Sequence, residues 1–337
     1  MLGVVIPCHN EQEVLPQLLS VLEELPALCQ AAVKVLFVDD GSRDRSFEII
    51  SEACHRNPMF GCLRLSRNFG HQIAVRAGLH HVRGDAVGVI DADLQDPLSA
   101  LVEMFQKWRE GYDVVYGVRQ NRKESFILKA SYALFYRLLK KVAQIEIPLD
   151  AGDFSVMDRR VVDLLKSLPE QAPFIRGLRS WVGFRQIGVP YDRAGRAAGE
   201  SKYSVWRLIE LAIQGFVSFS TVPLRLAVWL GLITSGFGFA LAVWALVAAL
   251  AYRQTPPGWA SLAVIFLFFG GIQLIMLGIL GEYIGRIFDQ VKNRPLFIVD
   301  RSVGWMAADT ESSLSNVVDA EEPYSERGVE AAASRVA

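Results

Sequence analysis

Two aspartates separated by one residue carry the clearest chemical signal in this sequence. Asp91, Asp93 and Gln95 directly follow Val87–Ile90, a short apolar run typical of a buried parallel strand. Ligands of open α/β sheets bind outside the carboxyl ends of the strands, where two carboxylates can share one hard cation. Such a cation would hold a diphosphate. The motif alone leaves one alternative open, namely two solvated aspartates in a turn before Pro97.

Acidic residues also follow two earlier apolar runs. Asp40 comes after Val33–Val38, and a carboxylate there suits a nucleoside, since it can accept a hydrogen bond from a base N–H or a ribose hydroxyl. Pro7 and Glu11 follow Leu2–Ile6 and would line the same pocket. Glu11 is equally consistent with an acid at a helix N-terminus that is stabilised by the helix dipole.

Basic residues that could face phosphate groups occur in two places. Arg119 and Arg122 follow a later apolar run, and Gly195–Tyr203 carries Arg196 and Lys202 shortly before the first long apolar segment. The small residues of Gly195–Tyr203 predict a mobile loop that closes over a phosphate at a membrane surface. Taken singly, each of these cations is also consistent with a solvated surface charge.

One isolated aspartate, Asp153, begins a predicted strand within Leu149–Met157. In a phosphate-rich site it could act as a general base, or it could orient a sugar hydroxyl or an arginine. A phosphate acceptor whose second pKa is about 6 is already ionised at neutral pH and hardly needs a base. The sequence shows no Ser-His-Asp set, Walker-type phosphate loop or dinucleotide fingerprint.

Alternating strands and helices must position these residues. The predicted strands are Leu2–Ile6, Val33–Val38, Cys62–Leu65, Val87–Ile90, Val114–Tyr116, Leu149–Met157 and Arg185–Val189. The predicted helices are Glu11–Leu25, Asp44–His55, Gly70–Val82, Leu98–Arg109 and Arg159–Leu168. The alternation predicts an α/β, Rossmann-like domain with a mostly parallel sheet, whose strand ends meet at one edge.

Two later segments predict a membrane hairpin. Leu226–Tyr252 and Gln254–Gly281 contain no charged residue, and each helix would exceed the roughly 30 Å hydrocarbon thickness of a bilayer. The short connection Arg253–Trp259 puts both ends on one side, and the basic residues that follow indicate the cytoplasm. A buried helix pair in a soluble domain is the alternative.

The aromatic and basic pattern of Ser125–Val142, which includes Lys129, predicts a helix that lies either in the membrane interface or on an ordinary protein surface.

These patterns predict a catalytic domain joined to a membrane anchor. The predicted parts are a cytoplasmic catalytic domain 1–202, a juxtamembrane helix 203–222, spans 223–252 and 260–284 with the external loop 253–259, a cytoplasmic return segment 285–302 and a disordered tail 303–337. Glycines in the spans favour close helix packing and a homo-oligomer such as a tetramer.

Composition narrows the class further. The chain has 337 residues and a net charge of −1, which gives no argument for nucleic-acid binding, and we expect no nucleic-acid partner. Its four cysteines lack zinc spacing and are expected to be free thiols. The N-terminus enters a strand pattern directly, so we expect no signal peptide and an inner-membrane location.

Four motifs, in this order, resemble those of inverting family 2 glycosyltransferases with the GT-A fold. They are Val5–Glu11, Val38–Asp44, Asp91–Pro97 and Arg196–Tyr203. Within that family the chain is similar to the polyisoprenyl-phosphate glycosyltransferases, the group that includes dolichol-phosphate mannose synthases. The two spans favour the bacterial bactoprenol (undecaprenyl-phosphate) glucosyltransferases. Cys8-His9 departs from the usual motif, and the Gln-x-x-Arg-Trp motif of processive synthases is not found.

The resemblance implies a nucleotide-sugar donor and a polyprenyl phosphate acceptor at the cytoplasmic membrane face. UDP-glucose is the implied donor, with GDP-mannose or a UDP-aminoarabinose derivative as alternatives, and a non-catalytic nucleotide-sugar or lipid-binding membrane protein is the competing class. The implied residues are Asp91, Asp93 and Gln95 for Mg²⁺ or Mn²⁺; Pro7, Asn10, Glu11, Asp40, Ser42, Asp91, Ala92 and Asp93 for the donor; Arg119, Arg122, Lys129, Arg196, Ser201, Lys202 and Tyr203 for acceptor or phosphate; and Asp153, Asp93 and Arg196 for catalysis.

Overall fold

A computed structural model describes residues 1–120, 151–170, 174–192, 222–252, 258–292 and 294–307. Within these ranges the strands are β1 Leu2–Cys8, β2 Val33–Asp39, β3 Phe60–Leu65, β4 Ala86–Val89, β5 Val114–Gln120, β6 Ala151–Asp158, β7 Gln186–Asp192 and β8 Val299–Gly304. The helices are α1 Leu15–Leu22, α2 Leu25–Cys29, α3 Ser46–Arg56, α4 His71–His81, α5 Leu98–Arg109, α6 Arg159–Ser167, α7 Ile175–Trp181, α8 Val222–Tyr252 and α9 Trp259–Lys292.

The described strands form one sheet in the order β7-β5-β6-β4-β1-β2-β3-β8. The four neighbouring strands β4, β1, β2 and β3 are parallel, which confirms the predicted α/β class. Every residue of β1 is buried, because helices cover both faces of the sheet. Helices α1, α2, α3 and α5 pack on one face, and α4, α6 and α7 pack on the other.

Strand β6 runs against the direction of its neighbour β4, and this reversal shapes the site. Val89 pairs with Ser155 and Ala86 pairs with Asp158. The first residues of β6 therefore lie at the carboxyl edge of the parallel strands. This register brings Asp153 to the end of β4 where Asp91 follows.

The predicted helix Glu11–Leu25 corresponds to the shorter α1, Leu15–Leu22, so its predicted bounds are wrong, and the separate helix α2 begins at Leu25. Pro16 and Pro26 lie in the first turns of α1 and α2, where proline needs no intrahelical N–H partner. The backbone of Gln30 then adopts a left-handed conformation with φ of 47°, which ends α2. Helix α7 was not predicted because its pattern is short.

The chain returns to the sheet after α9, which corrects two predicted boundaries. Helix α9 continues to Lys292, and β8 pairs antiparallel with β3, so 285–302 is not a simple return segment. The predicted disordered tail is wrong at its start, since β8 extends to Gly304 and Met306 is buried. Strand β3 would otherwise expose an unpaired edge. Residues 308–337 of the predicted tail lie outside the described residues.

Helices α8 and α9 expose many large apolar side chains, including Trp229 at 64% and Phe266 at 78%. Among the described residues, one segment, Phe268–Lys292, is long and apolar enough to cross a membrane, with a mean hydropathy of 1.5. In α8 the apolar stretch is the shorter Ala227–Leu241. The two helices pack antiparallel, since Gly231 faces Met276 and Gly238 faces Phe269. The predicted oligomer and membrane topology remain predictions.

Candidate functional site

The loops after β1 and β2 are joined by reciprocal hydrogen bonds. The Asn10 N–H donates to Ser42 Oγ (3.0 Å), and Asn10 Oδ1 accepts from the Arg43 N–H (2.8 Å). The Glu11 N–H donates to Ser46 Oγ (2.9 Å). Asn10 has a φ of 57°, a conformation that asparagine tolerates better than most residues. The loops that carry the predicted donor residues Asn10, Glu11 and Ser42 therefore form one structural unit, and Pro7 lies beside it as the second-last residue of β1.

Asp40 fixes the loop that follows β3. Its carboxylate is buried and accepts from the N–H groups of Phe69 (2.7 Å) and Gly70 (2.9 Å). Gly41 allows this loop to approach, since its φ is +65° and a Cβ there would lie 2.5 Å from the carbonyl carbon of Arg67. These contacts place Asp40 at the carboxyl edge of the parallel strands, where the site is predicted, and next to the N-terminus of α4. Its contact with a nucleoside remains a prediction.

The Asp-x-Asp segment forms a tight turn at the end of β4. Asp93 Oδ1 accepts from the Gln95 N–H (3.1 Å), and Leu94 has a φ of 55°, a strained value for leucine. Ala92 and Gln95 are buried, which holds the turn against the core. This arrangement keeps the two carboxylates at the sheet edge.

Several acids converge around Asp91. Burial raises the pKa of Asp91; the nearby His71 opposes this, while the charges of Asp96, Asp153 and Asp93 add to it. In the described residues, no three His, Cys, Asp or Glu side chains form a metal-ligating group. Two carboxylates nonetheless suit Mg²⁺ or Mn²⁺, because such ions at nucleotide sites take one or two carboxylates and complete their shell with phosphate and water. The donor types and the excess of negative charge therefore fit a divalent cation.

Asp153 lies at the centre of a cluster that also contains Arg176, Gln72 and His71, here called the Asp153 cluster. Arg176 donates to both carboxylate oxygens, from Nε to Oδ1 (2.9 Å) and from Nη2 to Oδ2 (3.1 Å). Gln72 Nε2 donates to Oδ2 (2.8 Å), and His71 Nε2 lies 3.5 Å from the same oxygen. Burial alone would raise the pKa of Asp153, but Arg176 and His71 hold it well below its usual range. The carboxylate is therefore ionised and surrounded by donors.

Arg119 belongs to a second chain of contacts at this edge. Its Nε donates to the Tyr191 hydroxyl (3.3 Å), and that hydroxyl donates to Asp96 Oδ1 (2.7 Å). Burial and the neighbouring Asp96 raise the pKa of Tyr191 to about 12, so the hydroxyl remains a donor. Gly117 leaves room for the Tyr191 ring, since a Cβ there would lie 2.6 Å from it. Arg119 is thereby linked to the turn that carries the two metal-binding candidates.

The structure brings the donor and metal candidates together with Asp153 and Arg119. The other phosphate and acceptor candidates lie outside the described residues, namely Arg122, Lys129, Arg196, Ser201, Lys202 and Tyr203. Sequence reasoning did not assign roles to His71, Gln72, Arg176, Tyr191 or Asp96. Of these residues, only Asp96 and His71 could have been suspected from the sequence, because each lies in the segment that follows a predicted strand.

Two family models match the chain. One, described as glycosyl transferase family 2, matches residues 3–165, and the other, described as the GtrB C-terminal hairpin, matches residues 222–287. The chain is 48% identical over 303 residues to YkcC, a glycosyltransferase of Bacillus subtilis, covering 90% of this chain and 94% of the relative. The chain belongs to glycosyltransferase family 2. Its sheet and covering helices are the GT-A fold, and the family resemblance predicted from the motifs is confirmed.

Some relatives of comparable sequence identity carry names that state the acceptor and the sugar. A bactoprenol glucosyl transferase from a Shigella flexneri prophage is 41% identical over 302 residues, covering 89% of this chain and 98% of the relative. The solved structure of the Pyrobaculum calidifontis mannosyltransferase PcManGT with GDP-Man and Mn²⁺ covers 87% of this chain and 86% of its own, at 17% identity and a TM-score of 0.45. The part of the chain that the family 2 model matches, residues 3–165, includes the loops that hold Asp40, Asp91 and Asp93.

Proposed function

We propose that this family 2 glycosyltransferase transfers a hexose, glucose from UDP-glucose, onto polyprenyl phosphate at the cytoplasmic face of a membrane. The observation that carries the proposal is the convergence of Asp91, Asp93 and the Asp153 cluster at one sheet edge, in a chain that also presents the exposed apolar helices α8 and α9. The bactoprenol glucosyl transferase relatives, named for a lipid acceptor, support it.

In the proposed reaction an oxygen of the acceptor phosphate attacks the anomeric carbon of the sugar. The bond from that carbon to the diphosphate oxygen breaks, and the nucleoside diphosphate leaves with the electron pair. The acceptor is ionised at neutral pH, so no proton has to be removed from it. A divalent cation held by Asp91 and Asp93, with Gln95 beside them, would neutralise negative charge on the departing diphosphate. The protein supplies position and electrostatic complementarity.

The apolar helices α8 and α9 would hold the sheet edge that carries Asp91 and Asp93 near the lipid acceptor. We propose that α8 and α9 form a two-span hairpin, with the catalytic domain and the last residues on the cytoplasmic side. The exposure of side chains such as Trp229 and Phe266 supports the proposal, because a bilayer would cover them. The model of the GtrB C-terminal hairpin, which matches 222–287, also supports it.

A transfer assay tests the proposed function. The full chain, purified in lipid nanodiscs, is incubated with Mg²⁺, undecaprenyl phosphate and one labelled donor at a time: UDP-glucose, UDP-galactose, GDP-mannose or a UDP-aminoarabinose derivative. We expect a labelled glycolipid with UDP-glucose, and near-total loss of product in Asp93→Ala. Asp85→Ala, at the opposite edge of the sheet, is the matched control, since it pairs with the N-terminal amine (2.6 Å). A glycolipid formed only with another donor would correct the sugar, and no product with any donor would refute the proposal.

A further inference from the structure

A histidine connects the Asp-x-Asp turn with the Asp153 cluster. His71 is the first residue of α4, and its Nε2 lies 3.6 Å from Asp91 Oδ1 and 3.5 Å from Asp153 Oδ2. The imidazole therefore stands between the first carboxylate of the motif and the buried carboxylate of β6. The proposed reaction assigns no role to His71.

The backbone on both sides of His71 is held in place. On one side, the Gly70 N–H donates to Asp40 (2.9 Å). On the other, the Gln72 side chain donates to Asp153 (2.8 Å) and accepts from the Ile175 N–H (3.1 Å), which ties α4 to α7. These contacts fix the start of α4 and therefore the backbone position from which the imidazole reaches Asp91.

The contacts of Asp153 argue against a base in direct contact with substrate. Its carboxylate is 5% exposed and accepts two hydrogen bonds from Arg176 and one from Gln72, with the imidazole of His71 alongside. A general base needs a lone pair that reaches the proton it removes. Here the carboxylate lies behind His71 and is directed at protein donors.

We propose that His71 is a positioning residue that orients the Asp91 carboxylate toward the divalent cation, and that Asp153 acts through His71. The inference rests on the proposed function only in taking Asp91 as a cation ligand. Outer partners of ligating groups restrict their orientation, and their loss typically weakens metal binding by about 10–100-fold. At 3.6 Å the imidazole restricts the orientation of the carboxylate by close polar contact rather than through a short hydrogen bond.

Direct Mn²⁺ binding tests this role independently of turnover. The full chain in nanodiscs is titrated with Mn²⁺, alone and with UDP, and free Mn²⁺ is counted by electron paramagnetic resonance. We expect His71→Ala to weaken Mn²⁺ binding by roughly 10–100-fold, and His71→Gln, which keeps an N–H donor, to recover most of the loss. His55→Ala, an exposed histidine in the last turn of α3, is the matched control and should bind like wild type.

Asp153→Asn provides the second arm. If Asp153 acts through His71, this variant also weakens Mn²⁺ binding, and adding His71→Ala causes little further loss. A base role predicts unchanged Mn²⁺ binding in Asp153→Asn. Binding by His71→Ala within threefold of wild type would overturn the proposal, as would a wild type that binds no Mn²⁺. A wild type that binds Mn²⁺ but makes no glycolipid would refute the proposed function and leave the role of His71 to be decided by the variants.

Discussion

The ion pair between Asp153 and Arg176 gives the sharpest prediction of stability. Asp153→Asn keeps the side-chain volume but removes the charge that Arg176 contacts at 2.9 Å and 3.1 Å. Breaking a buried pair from one side costs about 3–5 kcal/mol, because the remaining charge loses its ion-pair partner. Arg176 is 33% exposed and stays partly hydrated, so we expect the lower end, about 3 kcal/mol.

A double-mutant cycle measures this energy. Asp153→Asn, Arg176→Met and the double variant are melted in nanodiscs, with tryptophan fluorescence as the signal. At about 2–4 °C per kcal/mol for a domain of this size, each single variant should melt roughly 6–12 °C below wild type. The double variant removes both charges of the pair and should be more stable than the sum of the single effects by about 2 kcal/mol.

The control for this cycle is an exposed pair. Lys107 contacts Glu110 at 2.9 Å on the surface of the catalytic domain, and Glu110→Gln should leave the melting temperature unchanged. If the effects of Asp153→Asn and Arg176→Met add within about 0.5 kcal/mol, the two side chains do not act as a pair and the reasoning is refuted.

Three further predictions concern other elements. Gly41→Ala should abolish transfer, because its Cβ would lie 2.5 Å from the Arg67 carbonyl carbon and displace the loop beside the site; donor turnover at wild-type level would contradict this. Trp305→Ala should cost about 2–3 kcal/mol in melting experiments, since the indole, directly after β8, covers Gly61 of β3 and donates to a backbone carbonyl (3.3 Å); an unchanged melting temperature would contradict this contribution of the indole. Asp158→Ala should cost about 1–2 kcal/mol at pH 7 with transfer intact, since Asp158 caps α6. Burial raises the pKa of Asp158, but bonds from Arg160 and Trp108 lower it overall, so its contribution is present above about pH 4 and is lost as the pH falls below that. A stability gap between Asp158→Ala and wild type that widens in acid would contradict the assignment.

The motif residues could be predicted because they depend on local pattern. Asp40 and Asp91 each follow a run of buried apolar residues, and parallel strands bring such ends to one edge whatever the connections between them. The predicted helix Leu98–Arg109 matches α5 at both ends, since Pro97 precedes its first turn.

The Asp153 cluster could not be predicted in this way. Its members come from β6, α4 and α7, and they meet only because β6 runs antiparallel to β4. Strand direction leaves no mark in the period of apolar residues, so Arg176 was not connected with Asp153 from the sequence. Strand β8 was missed for a related reason. Its partner β3 lies more than 230 residues earlier, and its exposed residues resemble an ordinary polar tail.

The mass of the lipid product tests the central claim most directly. Attack by the acceptor phosphate on the anomeric carbon predicts a polyprenyl monophosphate hexose, with a nucleoside diphosphate released in equal amount. Mass spectrometry of the nanodisc reaction resolves both products. A polyprenyl diphosphate sugar formed with a nucleoside monophosphate would show that sugar phosphate is transferred instead, and would contradict the account.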